Sequence, residues 1–375
     1  MLLAALLLLS LCACNGNENA GSKDPESNNG TTGTEDPGVK PDPDKKETIF
    51  APVEVHTVYE GIDDKDVYIY DEAGNLTKSQ YYYHGALNSV TTYNEDGNVL
   101  LIQFYQDGTE REGRFRRYTY DDAGNLVKFE NCKEYYPEDT ELYDYNLAGF
   151  LTSKTVYDED ELDEILYYTY DLDGLLTKEE EHDEDGLEHG YRYTYDDAGR
   201  MTAKTYFNTT EDTSWYTYTY DEKGNLTREE HSYFDQIVTP NGYGFDVQKG
   251  PKKTDVTTYE HTYDDAGRLV KTVCTGYNYP NVCTRSYIYD AAGNLTERTV
   301  DYAGKNIFKD VFTYDENGNI TSAVSVENGV QAFSCTVSYR QVSVSRIMAQ
   351  SIQRLIFDLD LVSENLPEDP ENNNW

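Results

Sequence analysis

Three stretches of this 375-residue chain bring together side chains that could do chemistry. The run Glu179–His189 holds His182, Asp183, Asp185 and His189 among further acids. Imidazole and carboxylate are ligands for a divalent cation, but ligand geometry cannot be read from a loop, and a solvated acidic turn accounts for the run as well. The stretch between Asp221 and Asp264 carries Tyr233, Phe234, Tyr243 and Phe245, with Pro240, Asn241, Gly242 and Gly244 between them and Lys249, Lys252 and Lys253 close by. Flat rings on a projecting loop could stack on sugars or grip a protein partner; a silent insertion or a degenerate further repeat reads the same. Cys274 and Cys283 flank the turn-like Thr275–Val282. On opposed strands in an oxidising compartment they could form a disulfide, and otherwise they are two buried thiols.

Other chemistry is missing from the sequence. There is no Gly-x-Ser-x-Gly, His-Glu-x-x-His, phosphate-binding glycine loop or dinucleotide fingerprint. The six histidines make no Ser or Cys dyad along the sequence, and His261 stands in a slot otherwise held by tyrosine, where strand packing explains it. Cys132 and Cys335 are isolated and read as core residues. Repeated Asp-x-x-Gly strings lack the alternating oxygens and distal Glu of a calcium loop. The expectation is a protein without enzymatic activity, cofactor or metal.

The elements that must position these residues come from a repeat. The string Tyr-Thr-Tyr-Asp-x-x-Gly-Asn-Leu, or a close variant, occurs ten times, its Asp/Asn position at Asp71, Asn94, Asp121, Asn146, Asp171, Asp196, Asp221, Asp264, Asp290 and Asp315. The usual spacing is 25 residues, with one gap of 43 where the aromatic stretch lies. A fixed period of this size means one supersecondary unit stacked on its copies. Tyrosine and threonine favour strand. Asp first and Gly fourth specify a type I turn followed by a positive-φ glycine, which closes a three-residue hairpin loop. The pairs Asp71/Gly74, Asp121/Gly124, Asp171/Gly174, Asp196/Gly199, Asp221/Gly224, Asp264/Gly267, Asp290/Gly293 and Asp315/Gly318 are the turn residues. This register sets Tyr120 opposite Leu126 and Tyr118 opposite Lys128 on one face. Two strands per repeat give about 20 strands, and so wide a sheet must curl. The fold class is all-β, tandem antiparallel hairpins in one coiled or shell-like sheet, with an open sheet and a closed wide barrel as alternatives. Ser345–Phe357 reads as a closing helix capped by Ser345, with Ile347, Met348, Ile352, Leu355 and Ile356 on one face.

Tyr118-Thr119-Tyr120-Asp121-Asp122-Ala123-Gly124-Asn125-Leu126 and Tyr193–Met201, with His261–Leu269 and Tyr287–Leu295, resemble the YD repeat of bacterial RHS-type and wall-associated surface proteins. The resemblance spans roughly residues 56–340. It implies a long sheet coiled into a hollow shell, in a family where a toxin domain often follows the repeats. No such domain is visible after Asp315.

The chain carries 31 basic and 70 acidic residues, a net charge of −39. Such a surface repels the phosphate backbone, so nucleic acid is excluded as a partner. Leu2–Leu11 is apolar and too short to span a bilayer, as in a secretory signal. Leu11-Cys12-Ala13-Cys14 resembles the lipobox of bacterial lipoproteins, which implies lipidation at Cys14. The expected organisation is a signal over 1–14, a disordered linker over 15–49, a repeat domain over 50–340, a capping strand and helix over 341–362 and an acidic tail over 363–375. The expected role is a non-enzymatic, lipid-anchored cell-envelope protein outside the cytoplasm, its sheet a binding or spacer module for glycans or surface proteins. An accessory or remnant of an RHS-type toxin shell is the second reading, and a glycan hydrolase the third.

Overall fold

A computed structural model describes residues 46–59, 61–241 and 244–358. Among these described residues there are 22 strands and one helix. Each strand pairs antiparallel with its successor, from β1 (Lys46–Tyr59) and β2 (Ile62–Tyr70) to β22 (Val330–Ser345). β1 also pairs with β22, from Lys46↔Ser345 to Tyr59↔Phe333. The sheet is therefore a closed ring, and of the expected arrangements the closed one is found. Its 22 strands at about 4.8 Å each make a circumference of roughly 100 Å or more. The ten repeats supply the 20 expected strands; β1 and β22 lie outside the repeat string and close the ring. β1 begins at Lys46, four residues inside the segment read as linker. The signal, Cys14, most of the linker and the acidic tail lie outside the described residues.

One repeat shows why these residues fold as they do. β6 (Thr109–Tyr120) and β7 (Leu126–Lys133) meet at Asp121–Asn125. Gly124 has φ +85° and donates to the Asp121 carbonyl at 3.1 Å. Asp121 Oδ1 accepts the amides of Ala123 at 2.9 Å and Asn125 at 2.8 Å, fixing the turn from within. The donors of Asn125 hold the Asp121 carboxyl below the usual carboxylate range. All ten turns repeat the Gly-to-Asp/Asn backbone bond.

Tyr120 faces Leu126 as expected, but the register slips just behind that pair. Val127 is bulged out, so Tyr118 faces Phe129 and Lys128 faces Thr119. The lysine slot of the repeat therefore lies on the threonine face, not beside tyrosine. The β7 ladder with β8 (Tyr136–Tyr145) ends at Lys128↔Leu142, two residues short of Leu126. The Leu126 carbonyl would be left without a ladder partner on that side, and the Tyr145 hydroxyl donates to it at 2.9 Å. Tyr120, Tyr195, Tyr220, Tyr289 and Tyr314 do the same for Val99, Leu176, Met201, Leu269 and Leu295. In these six strings the second tyrosine thus staples one repeat to the one before it. Where the period breaks, His261 Nε2 makes this bond to the Leu226 carbonyl at 2.7 Å.

All these turns lie on one rim. Beyond it β1 and β22 continue as a two-stranded ribbon, kinked by a bulge at Val53. The ribbon lies across the first turns: Tyr70 donates to the Pro52 carbonyl at 2.6 Å, and Val342 and Val344 lie 3.3 Å from the place a Gly74 Cβ would take. The helix α1 (Arg346–Asp358) follows, capped by Ser345, whose Oγ accepts the Met348 amide at 3.2 Å. Met348, Ala349 and Ile352 are buried with Ala51, Val55, Leu76 and Val344 in the largest core cluster. Ile347 is half exposed and departs from the expected apolar face. The Leu355 and Ile356 side chains lie outside the described residues.

Candidate functional site

The aromatic stretch does not form the expected loop. It prolongs two strands, β15 (Leu226–Asn241) and β16 (Gly244–Tyr263). Repeat strands such as β7 run for 8 residues, so this hairpin continues well past the rim opposite the Asp-x-x-Gly turns. The ladder holds from Arg228↔Thr258 to Asn241↔Gly244, with one bulge between Phe234 and Gln236. Ile237, Val238 and Thr239 on one arm, with Val247 opposite Val238 on the other, favour strand, so the segment extends the sheet rather than looping out.

The hairpin base carries aromatics on both faces. On the threonine face Phe234 meets Trp215 of β14 (Asp212–Tyr220) edge-on, ring centroids 5.6 Å apart. Lys249 Nζ stands 3.6 Å from the Phe234 centroid and Lys252 Nζ 4.0 Å from that of Trp215. Lys249 also pairs with Glu211 at 2.5 Å. On the tyrosine face Tyr216 lies flat on His231 at 4.1 Å, and Tyr233 is 4.9 Å beyond. Tyr233 donates to Asp255, and that hydrogen bond pushes its hydroxyl up. Tyr233 and Phe234 thus point to opposite faces. Tyr243 lies outside the described residues, as does the Phe245 side chain.

No motif in the sequence marks a serine–histidine contact, yet Ser214 Oγ and His231 Nε2 are 2.8 Å apart, with Asp255 opposite His231 on the next strand. The three sit on three different strands, so no linear spacing could mark them. Burial pushes the His231 imidazole down, with Asp255 opposing. Tyr216 covers the ring face, and the arrangement is an aromatic stack anchored by polar groups.

Cys274 and Cys283 are direct cross-strand partners and fully buried. Both are free thiols in this structure; Cys274 donates to Cys283, which pushes the first up and the second down. Of the acids near His189, Asp183 Oδ1 accepts the Asp185 amide at 2.8 Å in a tight turn, and His182 packs edge-on against Tyr167. Neither approaches His189; Glu181 and Glu188 do, all three ligand atoms lying within 4.8 Å of one another.

The residues of the Asp-x-x-Gly turns are not brought into any of these groups. Gly174, Gly199, Gly224, Gly267 and Gly293 have φ of +84°, +76°, +90°, +82° and +97°, as the turn type requires. Their amides donate to the carbonyls of Asp171, Asp196, Asp221, Asp264 and Asp290 at 3.3, 2.9, 3.1, 2.9 and 3.2 Å, and Gly74 and Gly318 bond likewise to Asp71 and Asp315. The place of a Cβ on Gly174 lies 2.6 Å from Phe150 Cζ, so that ring from the preceding turn packs on bare backbone. Lys223 and Arg268 reach the corresponding places on Gly267 and Gly293 more loosely, at 3.4 and 3.9 Å. Singled out in the sequence beside the ligand candidates, these glycines are instead part of the architecture: they shape the rim opposite the long hairpin and offer a ligand no side chain.

A further polar cluster lies on the tyrosine face of β2. Asp64 is 6% exposed. Its Oδ2 accepts Tyr81 at 2.8 Å and Tyr59 at 3.3 Å, while Oδ1 is buried without a partner. Burial first, then the Asp64 charge, pushes the Asp66 carboxyl up to about 6.

The RHS Repeat family model matches residues 170–211, which hold the Asp171 and Asp196 turns. Among solved structures, TcdB2-TccC3 without its hypervariable C-terminal region is similar at 13% identity and TM-score 0.30, covering 77% of this chain and 20% of that one. TcdB2-TccC3-Cdc42 is similar at 14% identity and TM-score 0.29, covering 70% and 18%. A porin-like protein from Bacteroides uniformis gives 13% identity and TM-score 0.26, covering 77% and 96%. The chain thus spans about a fifth of the length of the first of these. No curated protein matches it. Residues 170–211 are thus similar to the RHS Repeat family, and the hairpins on either side repeat their turn bonds in an array that closes into a β-shell.

Proposed function

We propose that this shell is a non-enzymatic, lipid-anchored envelope module that binds glycans or surface proteins through the β15–β16 hairpin. The observation that carries the reading is the opposition of the two rims. Lys46, the first residue of β1, pairs with Ser345 on the ribbon at the turn rim, so a tether running from Cys14 reaches the shell there. The long hairpin leaves the other rim, pointing away from the anchor. Its base carries Trp215 with Phe234 on one face and Tyr216 with Tyr233 on the other, rings that can stack on sugar faces or fill a partner's pockets. Its lysines stand out locally on a chain of net charge −39 and favour an acidic ligand.

Replacing residues 235–251 with Asn-Gly closes Phe234 onto its partner Lys252 by a two-residue turn. On a glycan array, ligands held by the wild type should bind the shortened protein at least about tenfold more weakly, with an unchanged far-UV spectrum. Undiminished binding would remove the hairpin from the site. The anchor is tested separately. A fatty-acid probe supplied to cells should label the wild type and leave Cys14→Ala unlabelled; equal labelling rejects lipidation at Cys14.

A further inference from the structure

Beyond the binding role, the hairpin of β11 (Leu176–Asp183) and β12 (Gly186–Tyr195) carries a ligand set for a metal ion. Glu181 pairs with His189 and His182 with Leu187, which leaves Glu188 as the extra residue of a bulge. A bulge sets two residues of one strand against one of its partner and re-aims a side chain. Here it turns Glu188 toward the face shared by Glu181 and His189. Strict alternation would have sent Glu188 to the other side of the sheet. One ligand atom from each residue falls within 4.8 Å of the others, and His189 Nε2 is 3.3 Å from Glu181 Oε2.

The same bulge recurs in other copies without this chemistry. Between β7 and β8 the extra residue is Glu138, which Arg114 and Lys133 neutralise at 3.4 and 3.1 Å. Between β13 (Met201–Asn208) and β14 it is Thr213. Among the described residues no lysine or arginine pairs with Glu181 or Glu188, so the negative charge of this copy is left uncompensated.

We propose that Glu181, Glu188 and His189 form a binding site for a divalent transition-metal ion of the zinc class. One imidazole and two carboxylates are a three-ligand set that leaves a fourth zinc position to water. The imidazole argues for zinc and its neighbours over the hard cations calcium and magnesium, which take oxygen alone. The side chains of Glu181 and His189 are 28% and 25% exposed, enough for an ion to enter without opening the sheet.

Titration calorimetry of the full chain with zinc chloride alone tests this. The expected result is one ion per chain, with affinity falling at least about tenfold in His189→Gln and in Glu188→Gln. His182→Gln should bind as the wild type does, since His182 lies on the opposite face against Tyr167. Far-UV spectra establish that each variant is folded; Glu188, being exposed, can be replaced without disturbing packing. No saturable binding at one ion per chain would overturn the proposal, as would wild-type affinity in folded His189→Gln or Glu188→Gln, or an equal loss in His182→Gln.

Discussion

Asp66→Asn should make the protein more stable at neutral pH, by on the order of 3 kcal/mol. The Asp66 carboxyl is raised from 3.8 to about 6, by burial first and by the Asp64 charge second. Below about pH 4 both folded and unfolded chains keep this proton, and the group costs nothing. Between about pH 4 and 6 the folded state holds a proton that the unfolded chain releases, so stability falls as pH rises. Above about 6 the penalty is complete, because a charge then sits in a site that disfavours it. The asparagine variant carries no such charge. Urea midpoints at several pH values should show the two proteins converging toward pH 4 and separating toward pH 7.5. A gap independent of pH, or a variant less stable at pH 7.5, would refute the assignment.

Gly97→Val should cost more than about 2 kcal/mol and loosen α1 from the rim. Gly97 has φ +82°, which a β-branched residue resists. A Cβ there would also stand 2.7 Å from Ser351 Cβ and 3.1 Å from Met348 Sδ. Ser351 Oγ donates to the Asp96 carbonyl at 2.8 Å, so the clash falls where the helix is fastened to the turn. Gly124→Val separates the two effects. Its φ is +85°, but no atom lies within 4 Å of the added carbon, so only the backbone strain of about 1–2 kcal/mol remains. Denaturation midpoints for both variants, with proteolysis near residue 350 as a readout of the helix, check this. Equal losses in the two would mean that the helix is not clamped by the turn.

What could be read from the sequence was local. Asp121-Asp122-Ala123-Gly124 dictates its own turn because donor, acceptor and positive-φ residue lie within five positions. Ser345 could be recognised as a cap for the same reason. The bulge at Val127 was hidden, because the residues that slip keep the composition of an ordinary strand; it is what moved Lys128 to the threonine face. Closure was hidden for a different reason. β1 contains no repeat string, and its partner lies almost 300 residues away. The candidate sites followed the same division. The aromatics of the long hairpin were visible as a break in period, though not as strands. The juxtapositions Glu181–Glu188–His189 and Ser214–His231–Asp255 come from register across strands, which no spacing along the chain encodes.

The pairing of β1 with β22 also orders the birth of the protein. Ribosomes deliver roughly 5–20 residues per second, so Lys46–Tyr59 waits on the order of tens of seconds for Val330–Ser345 to exist. Until then every hairpin can form in sequence, since each contacts its neighbour, but the growing sheet carries a raw flank at either side. Unfinished chains would therefore be adhesive toward one another and only the completed one inert. Truncation within the last repeats should be felt also at the opposite end of the polypeptide, where β1 would keep β2 and lose its longer partner.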